Sequence, residues 1–214
     1  LPQAAPARPF PQHVNYAPGT ILPNHRTQAQ LDEDVAAFYA AWKNAYLVEA
    51  GGTPRRYRIE VAPNRTVSEG QGYGMIIVAT MAGHDPAAQS IFDGLWRFVR
   101  DHPSKIDSRL MAWQFPEATG GEDSAFDGDA DIAYALLLAD AQWGSSGAVN
   151  YAAEAQTLIA AILESTIGPA SRLPLLGDWV EANGATYNQY TPRTSDFMTG
   201  HFRAFARSSG DPAW

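Results

Sequence analysis

Two short acidic segments carry the side chains best suited to chemistry. In Ser68-Glu69-Gly70-Gln71-Gly72-Tyr73-Gly74 one carboxylate sits among glycines, just before the apolar run Met75-Ile76-Ile77-Val78-Ala79-Thr80-Met81-Ala82. Ser68 is a good N-cap residue, so the pattern places Glu69 in the first turn of a buried helix. Each glycine costs about 1 kcal/mol of helix propensity relative to alanine, which points to a ligand or another helix close against this backbone. An acid at this position also favours the helix dipole, and capping alone would account for it. The second segment, Asp123-Ser124-Ala125-Phe126-Asp127-Gly128-Asp129-Ala130-Asp131, leads into another apolar run, Ile132 to Ala139. A calcium loop starting at Asp127 would need glycine and glutamate where Ile132 and Leu138 stand, which rejects that reading. Caps and dipole partners account for one or two of these acids. Asp127, Asp129 and Asp131 lie close enough to repel one another, so at least one needs a partner outside the helix. Carboxylates from two separate helix starts, with aromatic loops nearby, suit hydrolysis of a glycosidic bond. One acid protonates the leaving oxygen while others hold the sugar and activate water.

The elements that must position these acids are helices. Apolar periodicity predicts six, near 28–50, 67–83, 86–102, 125–143, 150–167 and 195–208, and strand signals are sparse. The first, third and fifth read as outer amphipathic helices; in the third, Ile91, Leu95, Trp96, Phe98 and Val99 oppose Gln89, Asp93, Arg97 and Arg100. The second, fourth and sixth open on polar or glycine-rich segments and then turn apolar. Alternating outer and inner helices would gather the openings Ser68-Glu69-Gly70, Asp127-Gly128-Asp129 and Thr194-Ser195-Asp196 at one end of a common core. The connections 103–123 and 168–194 are long and carry tryptophan and tyrosine, as functional loops do.

Composition narrows the class. A chain of 214 residues with 45% hydrophobic and 11% aromatic content has the material for one good core. It has no cysteine, which removes disulfides, thiolate metal sites and a cysteine nucleophile. Its five histidines lack metal-ligand spacing, and neither a metal nor another cofactor is expected. A formal charge of -8, with Arg55-Arg56 the only adjacent basic pair, disfavours nucleic acid and suits a neutral or cationic partner. No transmembrane run is present. Residues 1–27, rich in proline, alanine and asparagine, read as an extended arm or as the trimmed start of an exported protein. A secreted location, extracellular or periplasmic, with the signal peptide already absent, is the expectation.

The stretch from Asp127 to Trp143 resembles the signature of glycoside hydrolase family 8, and Ser68 to Gly74 is similar to that family's acid-bearing segment. The resemblance runs from about residue 13 to the end. Phe126 departs from the serine or threonine that the family usually places before the first aspartate. The resemblance implies an all-α fold, an (α/α)6 barrel of alternating inner and outer helices, and inverting, endo-acting hydrolysis of β-1,4 linkages. It implies Glu69 as general acid and Asp127 as the aspartate that holds the distorted sugar. Trp113 in Leu110-Met111-Ala112-Trp113 and Trp179 in Gly177-Asp178-Trp179-Val180 resemble sugar platforms, since an indole stacks on the apolar face of a pyranose. Tyr73 and Asp129 are further candidates for substrate binding.

About six of the barrel's twelve helices are present, so residues 28–214 read as the amino-terminal part of such a domain. The general base is expected outside this chain, and the carboxy-terminal half of the barrel is the expected partner. Chitosan is the leading substrate on the wording Thr194-Ser195-Asp196-Phe197-Met198. Cellulose or mixed-linkage β-glucan, cut by an endoglucanase or lichenase, and a non-catalytic carbohydrate-binding fragment without the base are the alternatives.

Overall fold

A computed structural model describes residues 4–117 and 120–214. Among the described residues six α-helices carry the fold: α1 (Gln28–Tyr46), α2 (Ser68–Thr80), α3 (Ala88–Asp101), α4 (Phe126–Trp143), α5 (Tyr151–Ser165) and α6 (Thr199–Ser209). Thr27 starts α1 with a capping box, its hydroxyl accepting from Gln30 N–H while the Gln30 side chain accepts from Thr27 N–H. The predicted helix 28–50 stops early, because Leu47 turns the chain into a hairpin of β1 (Leu47–Gly51) and β2 (Arg56–Ile59), in register Leu47↔Ile59. Gly51, the last residue of β1, and Gly52, both at positive φ, turn the chain from β1 towards β2. A second antiparallel pair, β3 (Thr66–Val67) with β4 (Gln114–Phe115), lies at the start of α2.

Helices α2 and α4 are apolar all round and pack on each other. Met75, Val78 and Ala79 of α2 and Ile132, Ala133, Leu136 and Ala139 of α4 are fully buried. Outside them, α3 turns Phe92, Leu95 and Val99 inward and α5 turns Leu158, Ile159 and Ile162 inward. Phe92 meets Trp143 and Tyr151 edge-on at 5.6 and 5.5 Å, closing the core where these helices converge.

The glycines of α2 have their explanation here. A Cβ on Gly72 would stand 2.6 Å from Asp131 Cβ, and one on Gly74 would stand 2.5 Å from Ile59 Cδ1. The reciprocal glycine, Gly128 of α4, lies against Ser68. Neighbouring helix and hairpin, not a ligand, press against this backbone. Buried Gln71 ties the layers together, accepting from Ile59 N–H at 3.0 Å and donating to Leu95 C=O at 3.0 Å.

The two flanks are less covered. On α1 only Tyr39 is buried, and Phe38 is 77% exposed beside an apolar groove of about 270 Å³ shared with Ile76, Ile77 and Met81. On α6 only Phe205 is buried. Residues 4–13 run along the other end of the inner helices, where Ala7 N–H reaches Gln142 C=O and Phe10 N–H reaches Ala82 C=O, both at 2.7 Å. Among the described residues no helix is long and apolar enough to cross a membrane.

Candidate active site

The β3–β4 pair delivers Glu69 and Trp113 to the same place, because Ser68 N–H donates to Trp113 C=O at 2.9 Å. This pairing also corrects the expected cap. Val67, extended and without a side-chain cap bond, precedes the helix, while Ser68 is already helical and buried against Gly128. Glu69 follows in the first turn with its side chain exposed. Its Oε1 accepts from Tyr73 Oη at 3.1 Å, one turn along. Burial, followed by the charges of Glu69, Asp131 and Asp127, pushes the Tyr73 phenol up to about 12. It therefore stays a donor throughout the neutral range.

The first three aspartates of α4, Asp127, Asp129 and Asp131, point to three different partners. Asp127 accepts from Gly128 N–H through Oδ1 and pairs with Arg193 through Oδ2 at 3.3 Å. Asp131 is buried and lies 2.8 Å from His201 Nε2, whose ring stacks on Tyr134 at 4.2 Å, so it fastens α6 to α4. Asp129 is 0% exposed and accepts from Met111 N–H at 2.9 Å. That burial corrects the expectation that Asp129 contacts substrate: it supports the loop that carries Trp113 from beneath.

Burial holds the Asp129 carboxyl well above the ordinary range, against the opposing pull of the Met111 N–H and the Ser124 side chain. The folded value exceeds the unfolded one, so between them the folded chain keeps a proton that the unfolded chain has lost. Its contribution to stability therefore falls as pH rises past the ordinary aspartate value of about 3.9. Asp129→Asn preserves the acceptor and removes this titration. Its melting temperature should be flatter with pH than that of the wild type and higher at neutral pH; parallel profiles would contradict a protonated Asp129.

Asp178 ties the two long loops together. It accepts from Ser104 Oγ at 2.5 Å, Asp107 N–H at 3.1 Å and Ser124 N–H at 2.8 Å. Trp113 is held by its own Nε1–H to Gly120 C=O, with the Arg65 guanidinium 5.9 Å from its ring centre. Trp179 is 38% exposed and meets Tyr187 edge-on at 5.5 Å.

A cleft of about 330 Å³ is lined by Glu69, Asp127, Trp113 and Arg193, and a second of about 450 Å³ by Trp113, Trp179, Leu176 and Arg193. Trp113, Ala125 and Arg193 line both, so the clefts form one groove with carboxylates towards one end and indoles along it. The structure thus brings Glu69, Asp127, Trp113 and Trp179 to a common groove, with Tyr73 behind Glu69, and leaves Asp129 outside it.

Arg193 has no role in the sequence reading, although it directly precedes the segment Thr194–Met198 used there for the substrate. Its side chain, 44% exposed, also donates from Nε to buried Asp196 at 3.0 Å. Burial would lower its pKa, but the bonds and charges of Asp196 and Asp127 outweigh this and raise it. Among the described residues, no group of three or more histidines or carboxylates is arranged to hold a metal ion.

Residues 22–214 match the family model for glycosyl hydrolases family 8. The chain belongs to that family. It is 47% identical to a beta-glucanase of Niallia circulans, covering 99% of this chain and 51% of the relative. It is 42% identical to an endoglucanase of Bacillus sp. (strain KSM-330), covering 97% of this chain and 46% of the relative. The apo structure of a beta-1,3-1,4-glucanase from Paenibacillus sp. X4 superposes with a TM-score of 0.91 at 46% identity, over 98% of this chain and 55% of that one. The chain spans about half the length of the curated relatives it matches. Its six helices are accordingly part of the (α/α)6 barrel of family 8, with α2 and α4 as inner helices and α3 and α5 as outer ones.

Proposed function

We propose that this family 8 chain is the amino-terminal part of a secreted, inverting endo-β-glucanase that cuts β-1,4 linkages, with residues 28–214 in the catalytic domain and 1–27 as an arm. The observation that carries the reading is the shared groove of Glu69, Asp127 and Trp113. Glu69, at the mouth with Tyr73 as its donor, protonates the glycosidic oxygen as the bond to the anomeric carbon breaks. Asp127, fixed by Gly128 N–H and Arg193, holds the ring beside that bond. Water attacks from the opposite face and gives its proton to a base about 6.5–9.5 Å from the acid, the spacing of inverting enzymes.

Asp178 is committed to three loop donors, which disfavours it as the base, and the base is proposed to come from outside this chain. The remaining half of the barrel would bring it while covering Phe38, Ile76 and Ile77 on one flank and Phe197 and Phe202 on the other, since an apolar face of that kind is rarely left to solvent.

Glucan is favoured over chitosan because the relatives named above are called glucanases. The charge of -8 keeps chitosan as the second reading. Hydrolysis of lichenan, carboxymethyl cellulose and chitosan by this chain and by a longer form of the gene tests both. Cleavage of the glucans by the longer form supports the proposal; cleavage of chitosan alone transfers it to the second reading. Binding without cleavage by either form would make this a carbohydrate-binding domain.

The platforms have their own test. Trp113→Ala and Trp179→Ala should each weaken binding of a glucose oligomer by about 1–3 kcal/mol, the size of base stacking on an aromatic ring. Calorimetric titration measures this, and unchanged affinity in both would return the indoles to a packing role.

A further inference from the structure

We propose that Arg193 sets the substrate class of the groove, favouring an uncharged sugar polymer over a cationic one; this rests on the reading of the groove as a glucan site. Arg193 lines both the acid-bearing cleft and the platform cleft, and of the three residues shared by the two, with Trp113 and Ala125, it is the charged one. One side chain meets two carboxylates, Asp127 at 3.3 Å and the fully buried Asp196 at 3.0 Å, yet it remains 44% exposed. The pairing with Asp196 anchors the cation to the 3-10 turn Thr194–Asp196.

Two consequences follow for a polymer lying on Trp113 and Trp179. A neutral chain meets N–H donors that remain available beside Asp127, suited to sugar hydroxyls. An amino-sugar chain meets a fixed like charge at the position where Asp127 would otherwise attract its ammonium groups. Placing like charges together works chiefly as discrimination between partners. The net negative charge of the whole chain favours a cationic polymer at long range, while this one guanidinium opposes it at contact.

The experiment compares the binding of cellohexaose and of the glucosamine hexamer to this chain by calorimetry, at a pH where the amines are protonated. Arg193→Gln should weaken cellohexaose and strengthen the glucosamine hexamer, moving the affinity ratio by about fivefold to tenfold, the scale of a partly solvated unit charge. The shift should shrink with added salt, which a purely structural role would not produce. Arg193→Lys keeps the charge and should keep the wild-type preference. Because Arg193→Gln leaves Asp196 without its cation, the pair Arg193→Gln with Asp196→Asn is measured beside it and should shift the ratio in the same direction. An unchanged ratio in both glutamine variants, with wild-type binding of cellohexaose intact, overturns the role of Arg193 and leaves the glucan site standing. No binding of either oligomer by the wild-type chain overturns both.

Discussion

Glu69→Gln should lower the rate of glucan hydrolysis by about 10²–10⁴-fold, the contribution of a positioned general acid. The amide has the size of the carboxyl group and no proton to release, while Tyr73 can still donate to its oxygen. The loss should therefore fall on kcat, with oligomer affinity nearly unchanged. It is measured on a form of the enzyme that turns over, with reducing ends counted against time. A variant retaining more than about a tenth of the wild-type rate would remove Glu69 from the acid role. The exposure of Glu69 gives the measurement added value. Its side chain stands at the groove mouth, so the apolar surroundings usual for a general acid must come from the substrate or from the rest of the barrel.

Gly128→Ala should destabilise the fold by about 1–3 kcal/mol, the range for overpacking a close contact. The added methyl would stand 2.7 Å from the backbone carbonyl carbon of Ser68. Backbone cannot rotate away as a side-chain tip can, and Ser68 N–H is already committed to Trp113 C=O. Either α2 and α4 separate or Ser68 moves and carries Glu69 with it. Both routes should lower the melting temperature, and the second should also cost activity at temperatures where the protein remains folded, because small misplacements of catalytic groups are expensive. Gly200→Ala is the control: a Cβ there meets nothing within 4 Å, so its melting temperature should hold or rise. Equal melting temperatures for the two variants would show that the inner helices tolerate a wider spacing.

Much of the molecule was legible where a signal is local. All six helices stand near their predicted places, because runs such as Met75–Met81 and Ile132–Ala139 sit inside apolar stretches longer than a usual strand. What was missed depends on pairing across the chain. Residues 47–50 continue the pattern of α1, and only their partner strand, 56–59, pulls them out of the helix. Ser68 has the side chain of a cap, but Trp113 C=O takes its N–H and α4 takes its space. Glycines 70, 72 and 74 announce a close approach without saying what approaches. Asp127, Asp129 and Asp131 look alike in sequence; Arg193, Met111 and His201 give them different fates. Of these partners Arg193 lies sixty-six positions away, so no spacing rule reaches it.

Asp178 joins the loop of Trp113 to the loop of Trp179 through Ser104, Asp107 and Ser124. One indole cannot be displaced without straining the anchorage of the other. On the proposed reading of both indoles as platforms, their spacing is set by this shared anchorage, and a sugar chain would arrive with a matching repeat or bend to acquire one. An altered specificity is then hard to reach by changing one loop alone, since a shortened or lengthened loop would pull on its neighbour. Variation in this part of the family should come as paired changes in both loops, with the carboxylate between them as the hinge pin.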